Sequence, residues 1–181
     1  NTVDRQEDYP AWSPDGKRIA YVSFQKGSSA VYIVELATGA GATEPVSNAK
    51  GINGAPAFSP DGSKLALTLS KSGNPEIYVM DIASRSLRQV TTHYGIDTEA
   101  VWMPDGQTLL FTSDRGGKPQ IYQVSAAGGE AKRVTFTGEY NARATVSYDG
   151  RKIATAQGTG SVYRIALLDR SFGGNGRSQT L

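Results

Sequence analysis

Few side chains in this sequence are of the types that carry out catalysis. The chain contains one histidine, His93, and no cysteine. Hydrolysis by a side-chain nucleophile needs that nucleophile, a base and a group that orients the base, and the sequence around His93 shows no activated serine. A lone histidine without such a motif supports no mechanism, so we interpret His93 as a surface or contact residue. The sequence therefore predicts neither a catalytic centre nor a cofactor.

The carboxylates fall into two groups. Four aspartates precede glycine in turn dipeptides, and turn chemistry already explains them. A second group lies near the starts of the repeated units and comprises Glu7, Asp8, Asp97, Glu99 and Glu139. Calcium prefers oxygen ligands, but the spacing of these residues gives no support for a metal site beyond proximity. We predict no metal site, and calcium in a channel formed by the repeats stays an open alternative.

Composition excludes several classes of function. With 38% hydrophobic residues, 21 glycines and 8 prolines, the 181-residue chain is typical of one soluble all-β domain with many turns. The longest apolar runs fall short of the roughly 18 residues that cross a bilayer, so no membrane insertion is expected. A net charge of +2 is too small to favour nucleic acid as a partner. We expect any export signal to have been removed before Asn1 or to lie outside this sequence.

A repeat organises the chain. Asp-Gly occurs four times, at spacings of 46, 44 and 44 residues: Asp15-Gly16, Asp61-Gly62, Asp105-Gly106 and Asp149-Gly150. Each pair follows a short apolar segment and precedes an alternating one, and a third apolar segment begins fifteen residues after the glycine. A more polar fourth segment closes each unit, as an outer edge strand should. This period with four strands per unit predicts an all-β fold, a β-propeller built of four-stranded antiparallel blades.

The predicted blades occupy the whole of residues 1–181 as one β-propeller region. Their approximate bounds are 7–47, 52–92, 96–136 and 140–181. Tyr32, Tyr78 and Tyr122 recur in the third strands, and we assign them to the core because aromatic side chains fill sheet interfaces. The fourth repeat is degenerate, with Val146, Tyr148 and Ala166 in place of the aromatic, proline and tyrosine of the other repeats.

Several segments resemble the TolB family. They are residues 54–66, 77–83 and 87–91, with residues 53–56 and 160–166 favouring this family over the similar repeats of peptidases and polysaccharide lyases. The resemblance implies a six-bladed propeller preceded by a small α/β domain, of which this chain matches four blades. A fragment of a six-bladed propeller is therefore expected, and an independently closed ring of four is the alternative.

Strand direction assigns the loops to two faces. Each first strand runs toward its Asp-Gly turn, so the entries to the first strands share the upper face with the loops that join strands two and three. The entries should line the central channel. The candidate partner-binding residues on this face are Glu7, Asp8, Tyr9, Ile52, Asn53, Ala55, His93, Asp97, Thr98, Glu99, Tyr140, Asn141 and Arg143.

Charge also sorts on this face. Carboxylates lie near the channel entries, whereas Lys26, Lys71, Arg115 and Lys118 lie in the outer loops. We predict an acidic centre with a basic rim, which would orient a partner and affect its association rate more than its affinity. The alternative is that surface charges lie in loops by default.

The resemblance implies a protein-binding scaffold of the Tol-Pal system, acting in the periplasm on outer-membrane integrity and cell division. In this family the channel mouth binds the lipoprotein Pal, and colicin translocation segments imitate that contact; other Tol proteins are further implied partners. Ile52, Ala55 and Thr98 match family positions implicated in the contact, although the family has histidine where this chain has Ile52. The alternative is a non-catalytic propeller domain of a peptidase or polysaccharide lyase.

Overall fold

Four antiparallel β-sheets follow one another along the chain in a computed structural model that describes residues 7–38 and 44–170 and the backbone of 178–180. Sheet 1 contains β1 (Glu7–Trp12), β2 (Arg18–Ser23) and β3 (Ala30–Glu35), and a 3-10 turn (Leu36–Thr38) follows it. Sheet 2 contains β4 (Asn53–Phe58), β5 (Lys64–Leu69), β6 (Glu76–Asp81) and β7 (Leu87–Gln89). Sheet 3 contains β8 (Asp97–Trp102), β9 (Thr108–Ser113), β10 (Gln120–Ser125) and β11 (Lys132–Arg133). Sheet 4 contains β12 (Tyr140–Val146), β13 (Lys152–Thr159), β14 (Val162–Asp169) and β15 (Ser178–Thr180).

Each sheet pairs its strands in sequence order, which confirms the predicted all-β fold of antiparallel repeats. In sheet 1 an isolated bridge between Val31 and Ser47 takes the place of a fourth strand in the described residues. Across the described ranges, no helix is both long and apolar enough to span a bilayer.

The Asp-Gly turns close the first hairpin of every sheet. In the first turn the Ser13 hydroxyl donates to Asp15 Oδ1 at 2.5 Å, and the backbone N–H of Gly16 donates to Ser13 O. Gly16 has φ of 68°, a conformation that costs an L-residue energy and glycine very little. The same serine-to-aspartate hydrogen bond recurs in two other turns, between Ser59 and Asp61 and between Ser147 and Asp149. The fourth turn therefore forms although it has Tyr148 in place of proline. The Tyr148 side chain is fully exposed.

The core lies between successive sheets. Alternate residues of β5 face opposite neighbours: Leu65 and Leu67 pack toward sheet 1, whereas Ala66 packs toward sheet 3. Leu110 and Ile153 belong to the corresponding cluster between sheets 3 and 4. The predicted core positions of the three tyrosines are confirmed, with exposed fractions of 0% for Tyr32, 1% for Tyr78 and 7% for Tyr122. Burial on both faces of a sheet fixes its register, because a one-residue slip would exchange the two faces.

Candidate partner-binding site at the channel mouth

The first strand of every sheet carries a bulge at the same place. The pairing register shifts between Asp8 and Ala11 in β1, and at the equivalent steps of β4, β8 and β12. One residue in each bulge is a non-glycine with positive φ: Tyr9 at 52°, Ala55 at 44°, Glu99 at 55° and Arg143 at 55°. Left-handed backbone costs an L-residue roughly 1–2 kcal/mol, so four such residues at equivalent positions mark a shared feature of the repeat.

These four bulge residues meet at one cavity. Its volume is about 360 Å³, and its lining consists of the bulge residues Tyr9, Ala55, Glu99 and Arg143, together with Pro10, Ala11, Pro56, Ala57, Ala100, Val101 and Ala144. We call this cavity, together with the loops that enter the first strands at its upper rim, the mouth. Small apolar side chains form its wall, and Tyr9, Glu99 and Arg143 supply its polar groups. A cavity of this kind suits binding of an inserted segment, because few polar groups on an apolar wall fix its orientation.

Two threonines hold the bulges in place. The Thr68 hydroxyl accepts a hydrogen bond from the backbone N–H of Glu99 at 3.3 Å, and Thr112, the equivalent residue of sheet 3, accepts from the N–H of Arg143 at 3.2 Å. The hydroxyls of Thr68 and Thr98 also lie 3.3 Å apart. The bulges of β8 and β12 are therefore each tied to the preceding sheet.

An ion pair crosses the mouth between sheets 3 and 4. Arg143 Nε donates to Glu99 Oε1 at 3.1 Å, and the side chain of Arg143 is 70% exposed while that of Glu99 is 17% exposed. The Glu99 carboxylate raises the pKa of Arg143 above its usual value, mainly by its charge. The guanidinium is therefore permanently charged and faces solvent.

Three predicted contact residues are buried. Asn53, Asp97 and Asn141 occupy equivalent positions near the starts of β4, β8 and β12, with exposed fractions of 1%, 0% and 0%. The Asn53 amide donates to Ala49 O at 2.7 Å, and the Asn141 amide donates to Thr137 O at 2.8 Å. This corrects their placement on the surface: they hold the loops of the mouth and offer no area to a partner.

The other predicted residues lie at or near the surface. Glu7, Asp8, Tyr9 and Ile52 are exposed; His93, Thr98, Glu99, Tyr140 and Arg143 are at least partly accessible. Ala55 is buried but lines the cavity. Among these, the structure brings Tyr9, Ala55, Glu99 and Arg143 together around one space.

The predicted separation into an acidic centre and a basic rim is wrong for most of the carboxylates. Arg115 and Lys118, assigned to the rim, reach Asp97 at 2.5 Å and Glu139 at 3.0 Å. Glu99 is paired with Arg143. Long basic side chains extend from the loops to the nearest acid. Acidic and basic residues that are separated along the sequence are therefore paired in space.

The imidazole ring of His93 makes contacts within its own loop. Its Nδ1 accepts a hydrogen bond from the backbone N–H of Gly95 at 3.0 Å, and its ring lies 4.1 Å from that of Tyr94. Tyr94, which sequence reasoning missed, is 86% exposed. Among the residues that the structure describes, no three His, Cys, Asp or Glu side chains come together in a way that could hold a metal ion.

Sequence reasoning included the four bulge residues only as members of loops. Their positions 9, 55, 99 and 143 repeat the 46, 44 and 44 spacing of the Asp-Gly turns. Aligning the four repeats on their Asp-Gly turns would have placed these residues at one equivalent position. Their left-handed backbone has no signal in residue type, because tyrosine, alanine, glutamate and arginine have no preference for it.

Comparison with known proteins places this geometry in a family. The "TolB beta propeller domain" family matches residues 8–177. The Tol-Pal system protein TolB of Xanthomonas oryzae pv. oryzae is 65% identical over 164 residues, which are 91% of this chain and 37% of that protein. The chain thus spans just over a third of the length of the curated relatives it matches.

Solved structures agree with this relationship. TolB from Acinetobacter baumannii is 47% identical, with a TM-score of 0.89 over 98% of this chain and 43% of its own. A puromycin hydrolase has a TM-score of 0.76 over 97% of this chain and 28% of its own, but at 14% identity this shows a shared fold alone. From the family match and the identity to TolB proteins, the chain belongs to the TolB β-propeller domain family.

Proposed function

We propose that this chain is a non-catalytic protein-binding scaffold of the Tol-Pal system, acting in the periplasm and binding Pal through the mouth. The observation that carries the proposal is the convergence of Tyr9, Ala55, Glu99 and Arg143, one from each sheet, on a single cavity. Through this contact the protein would support outer-membrane integrity and cell division. Other Tol proteins and colicin translocation segments are further candidate partners for the same surface.

The chemistry of the mouth suits a protein segment better than a reacting substrate. Tyr9, which lines the cavity, is 46% exposed, and Ile52 at the rim is 50% exposed, so apolar area is available beside the charged pair. Aromatic and apolar side chains at the centre of a concave surface are the usual anchors of protein interfaces. The carboxylate of Glu99 is engaged by Arg143, which leaves the pair to fix orientation.

The four blades are the units that present these residues. We propose blade bounds of about 7–47, 52–92, 96–136 and 140–181, with one bulge residue contributed by each. Because every bulge lies at the same step of its first strand, a change in one blade alters one quarter of this ring of residues.

Titration of the chain with purified Pal by calorimetry tests the proposal. Thr98→Arg adds a long cation beside Glu99 at the mouth and should weaken binding at least tenfold. Gln107→Arg is the matched control, since Gln107 is exposed in the Asp105-Gly106 turn on the opposite face. Both variants should keep the circular dichroism spectrum of the parent chain. Equal binding by the two variants, or absent binding by the folded parent chain, would contradict the proposal.

A further inference from the structure

Two carboxyl groups are buried together at the junction of sheets 2 and 3. Glu76 begins β6 and Asp97 begins β8, and their exposed fractions are 1% and 0%. The backbone N–H of Asp97 donates to the carbonyl of Pro75, the residue before Glu76, at 2.9 Å, so the two residues lie side by side across the junction. Burying a carboxylate is costly unless it is paired or hydrogen-bonded, and two adjacent carboxylates also repel. Burial of this pair therefore requires a bound proton or hydrogen-bond donors that offset its cost.

An account of the oxygen atoms leaves one without a donor. Glu76 Oε1 accepts from the backbone N–H of His93, and Oε2 accepts from the Thr91 hydroxyl, both at 2.6 Å. Asp97 Oδ2 accepts from Arg115 at 2.5 Å. Asp97 Oδ1 is buried and has no hydrogen-bond partner in the described structure. A buried acceptor without a donor is rare in folded proteins and costly.

We propose that Glu76 and Asp97 share one proton, with the protonated carboxyl of Glu76 donating to Asp97 Oδ1, and that this bond clamps sheet 2 to sheet 3. The proton supplies the missing donor and leaves one net negative charge, which Arg115 neutralises. Burial is the main cause that raises the pKa of Glu76 above its usual range, and the charge of Asp97 raises it further. The other charged or titratable groups beside the pair are the His93 imidazole and Asp114, whose Oδ1 accepts from the backbone N–H of Ile96.

The next junction of the same chain supplies an internal comparison. Gln120 and Asn141 occupy the equivalent positions between sheets 3 and 4, each 44 residues further on. There the Asn141 amide donates to Gln120 Oε1 at 3.0 Å, and Thr135 donates to the same oxygen at 2.7 Å.

The threonines extend the equivalence of the two junctions. Thr91 accepts a hydrogen bond from the backbone N–H of Ile77, and Thr135 accepts one from that of Ile121, both at 2.9 Å. The two isoleucines directly follow Glu76 and Gln120. The chain thus places an inter-sheet hydrogen bond at equivalent positions of two junctions. At one junction the Asn141 amide of sheet 4 donates a permanent hydrogen, and at the other the bound proton on Glu76 of sheet 2 donates in the opposite direction.

The clamp acts on the strand that enters the mouth. Asp97 directly precedes Thr98 and Glu99, so fixing its side chain fixes the start of β8 and the approach to the bulge. Stability of the junction should therefore depend on pH. This inference concerns the folded chain and does not depend on which partner the mouth binds.

The test compares the melting temperature of the full chain with that of Glu76→Gln from pH 5 to pH 9. A group whose pKa is raised by folding stabilises the fold fully at low pH and loses that contribution as pH rises through the folded value. Glutamine at position 76 carries a permanent N–H donor that replaces the bound proton, whereas at the next junction the donor between the sheets is the Asn141 amide. The two proteins should melt within about 1 °C of each other at pH 5, and the variant should melt about 3 °C or more above the parent at pH 9.

Two further variants keep the inference falsifiable. Glu130→Gln removes an exposed carboxyl and should show no pH-dependent difference from the parent. The double variant Gln120→Glu/Asn141→Asp transplants the pair to the next junction and should acquire a new loss of melting temperature between pH 5 and pH 9. A difference between Glu76→Gln and the parent that stays constant with pH, or a transplant that adds no pH dependence, would overturn the inference.

Discussion

The guanidinium of Arg143 in sheet 4 lies 3.1 Å from the carboxylate of Glu99 in sheet 3, and both residues are bulge residues with positive φ. The carboxylate is shielded, whereas the guanidinium is largely exposed. A partner that approaches the mouth therefore meets the cation before the anion. The pair joins two sheets and also places an exposed positive charge at the mouth.

Arg143→Gln should separate these two roles. The substitution leaves the shielded Glu99 carboxylate without its ion-pair partner, so the free energy of unfolding in urea should fall by about 1–3 kcal/mol. Association with Pal should become slower and its salt dependence should change, because charges at a rim act mainly on the association rate. Stopped-flow kinetics at several salt concentrations measure this.

Lys118→Gln provides the control for Arg143→Gln, since Lys118 forms an ion pair with Glu139 in which both side chains are exposed. Its loss of stability should be smaller, below about 1 kcal/mol. If both variants change the association rate and its salt dependence equally, the position of Arg143 at the mouth has no special role.

The backbone of the bulges can be tested at Ala55, where φ is 44°. Ala55→Thr places a β-branched side chain in the left-handed region, which should lower the free energy of unfolding by about 1–3 kcal/mol. Ala55→Gly relieves the strain but adds flexibility to the unfolded chain, so its net effect should be within about 1 kcal/mol of zero. Urea denaturation of both variants measures the difference. Unfolding free energies that agree for the two variants would show that the bulge carries no strain at this position.

Asp61 makes the chain sensitive to acid through one of its turns. The Ser59 hydroxyl and then the Ser63 backbone N–H donate to the Asp61 carboxylate and lower its pKa to about 2. A group with a lowered pKa stabilises the fold above its unfolded value and loses that contribution as pH falls through the folded value. Asp61→Asn should therefore cost less than about 1 kcal/mol at pH 7, and this cost should diminish between pH 4 and pH 2.

Thermal unfolding of the parent chain and of Asp61→Asn at pH 7, 4 and 2.5 measures that loss. Glu130→Gln, at an exposed glutamate outside the turns, serves as the comparison. A stability difference for Asp61→Asn that is the same at all three pH values would refute the role assigned to the turn.

The sequence predicted the parts of this fold that depend on short-range residue patterns. The Asp-Gly turns and the alternating strands follow from local chemistry, so the register of Asp15 and Asp61 predicted the sheets correctly. The bulge at Tyr9 was not predicted, because its positive φ results from packing and pairing of the first strand within the assembled sheets. Arg115 was assigned to a rim because the sequence shows where a side chain starts but not the acid it reaches.

Two adjacent residues at the start of β4 have different roles: one positions the loop, and the other is available to contact a partner. Asn53 is buried and its Oδ1 accepts from the Ser47 hydroxyl at 2.8 Å, whereas the neighbouring Ile52 is half exposed at the rim. Asn53→Ala leaves several buried polar groups without partners and should cost about 2–4 kcal/mol of stability, with binding lost through disorder of the loop. Ile52→Ala should change stability by less than about 1 kcal/mol and weaken Pal binding directly.

Measuring urea unfolding and calorimetric titration on both variants separates the two mechanisms. Asn53→Asp places a buried carboxylate oxygen against the carbonyls of Ser29, Ala49 and Gly51 and should destabilise the chain at least as much as Asn53→Ala. A half-exposed side chain that contacts a partner makes binding fall without a fall in stability, whereas a buried amide makes both fall together. If Ile52→Ala destabilises the chain as much as Asn53→Ala, Ile52 supports the loop and the contact must be assigned to other residues of the mouth.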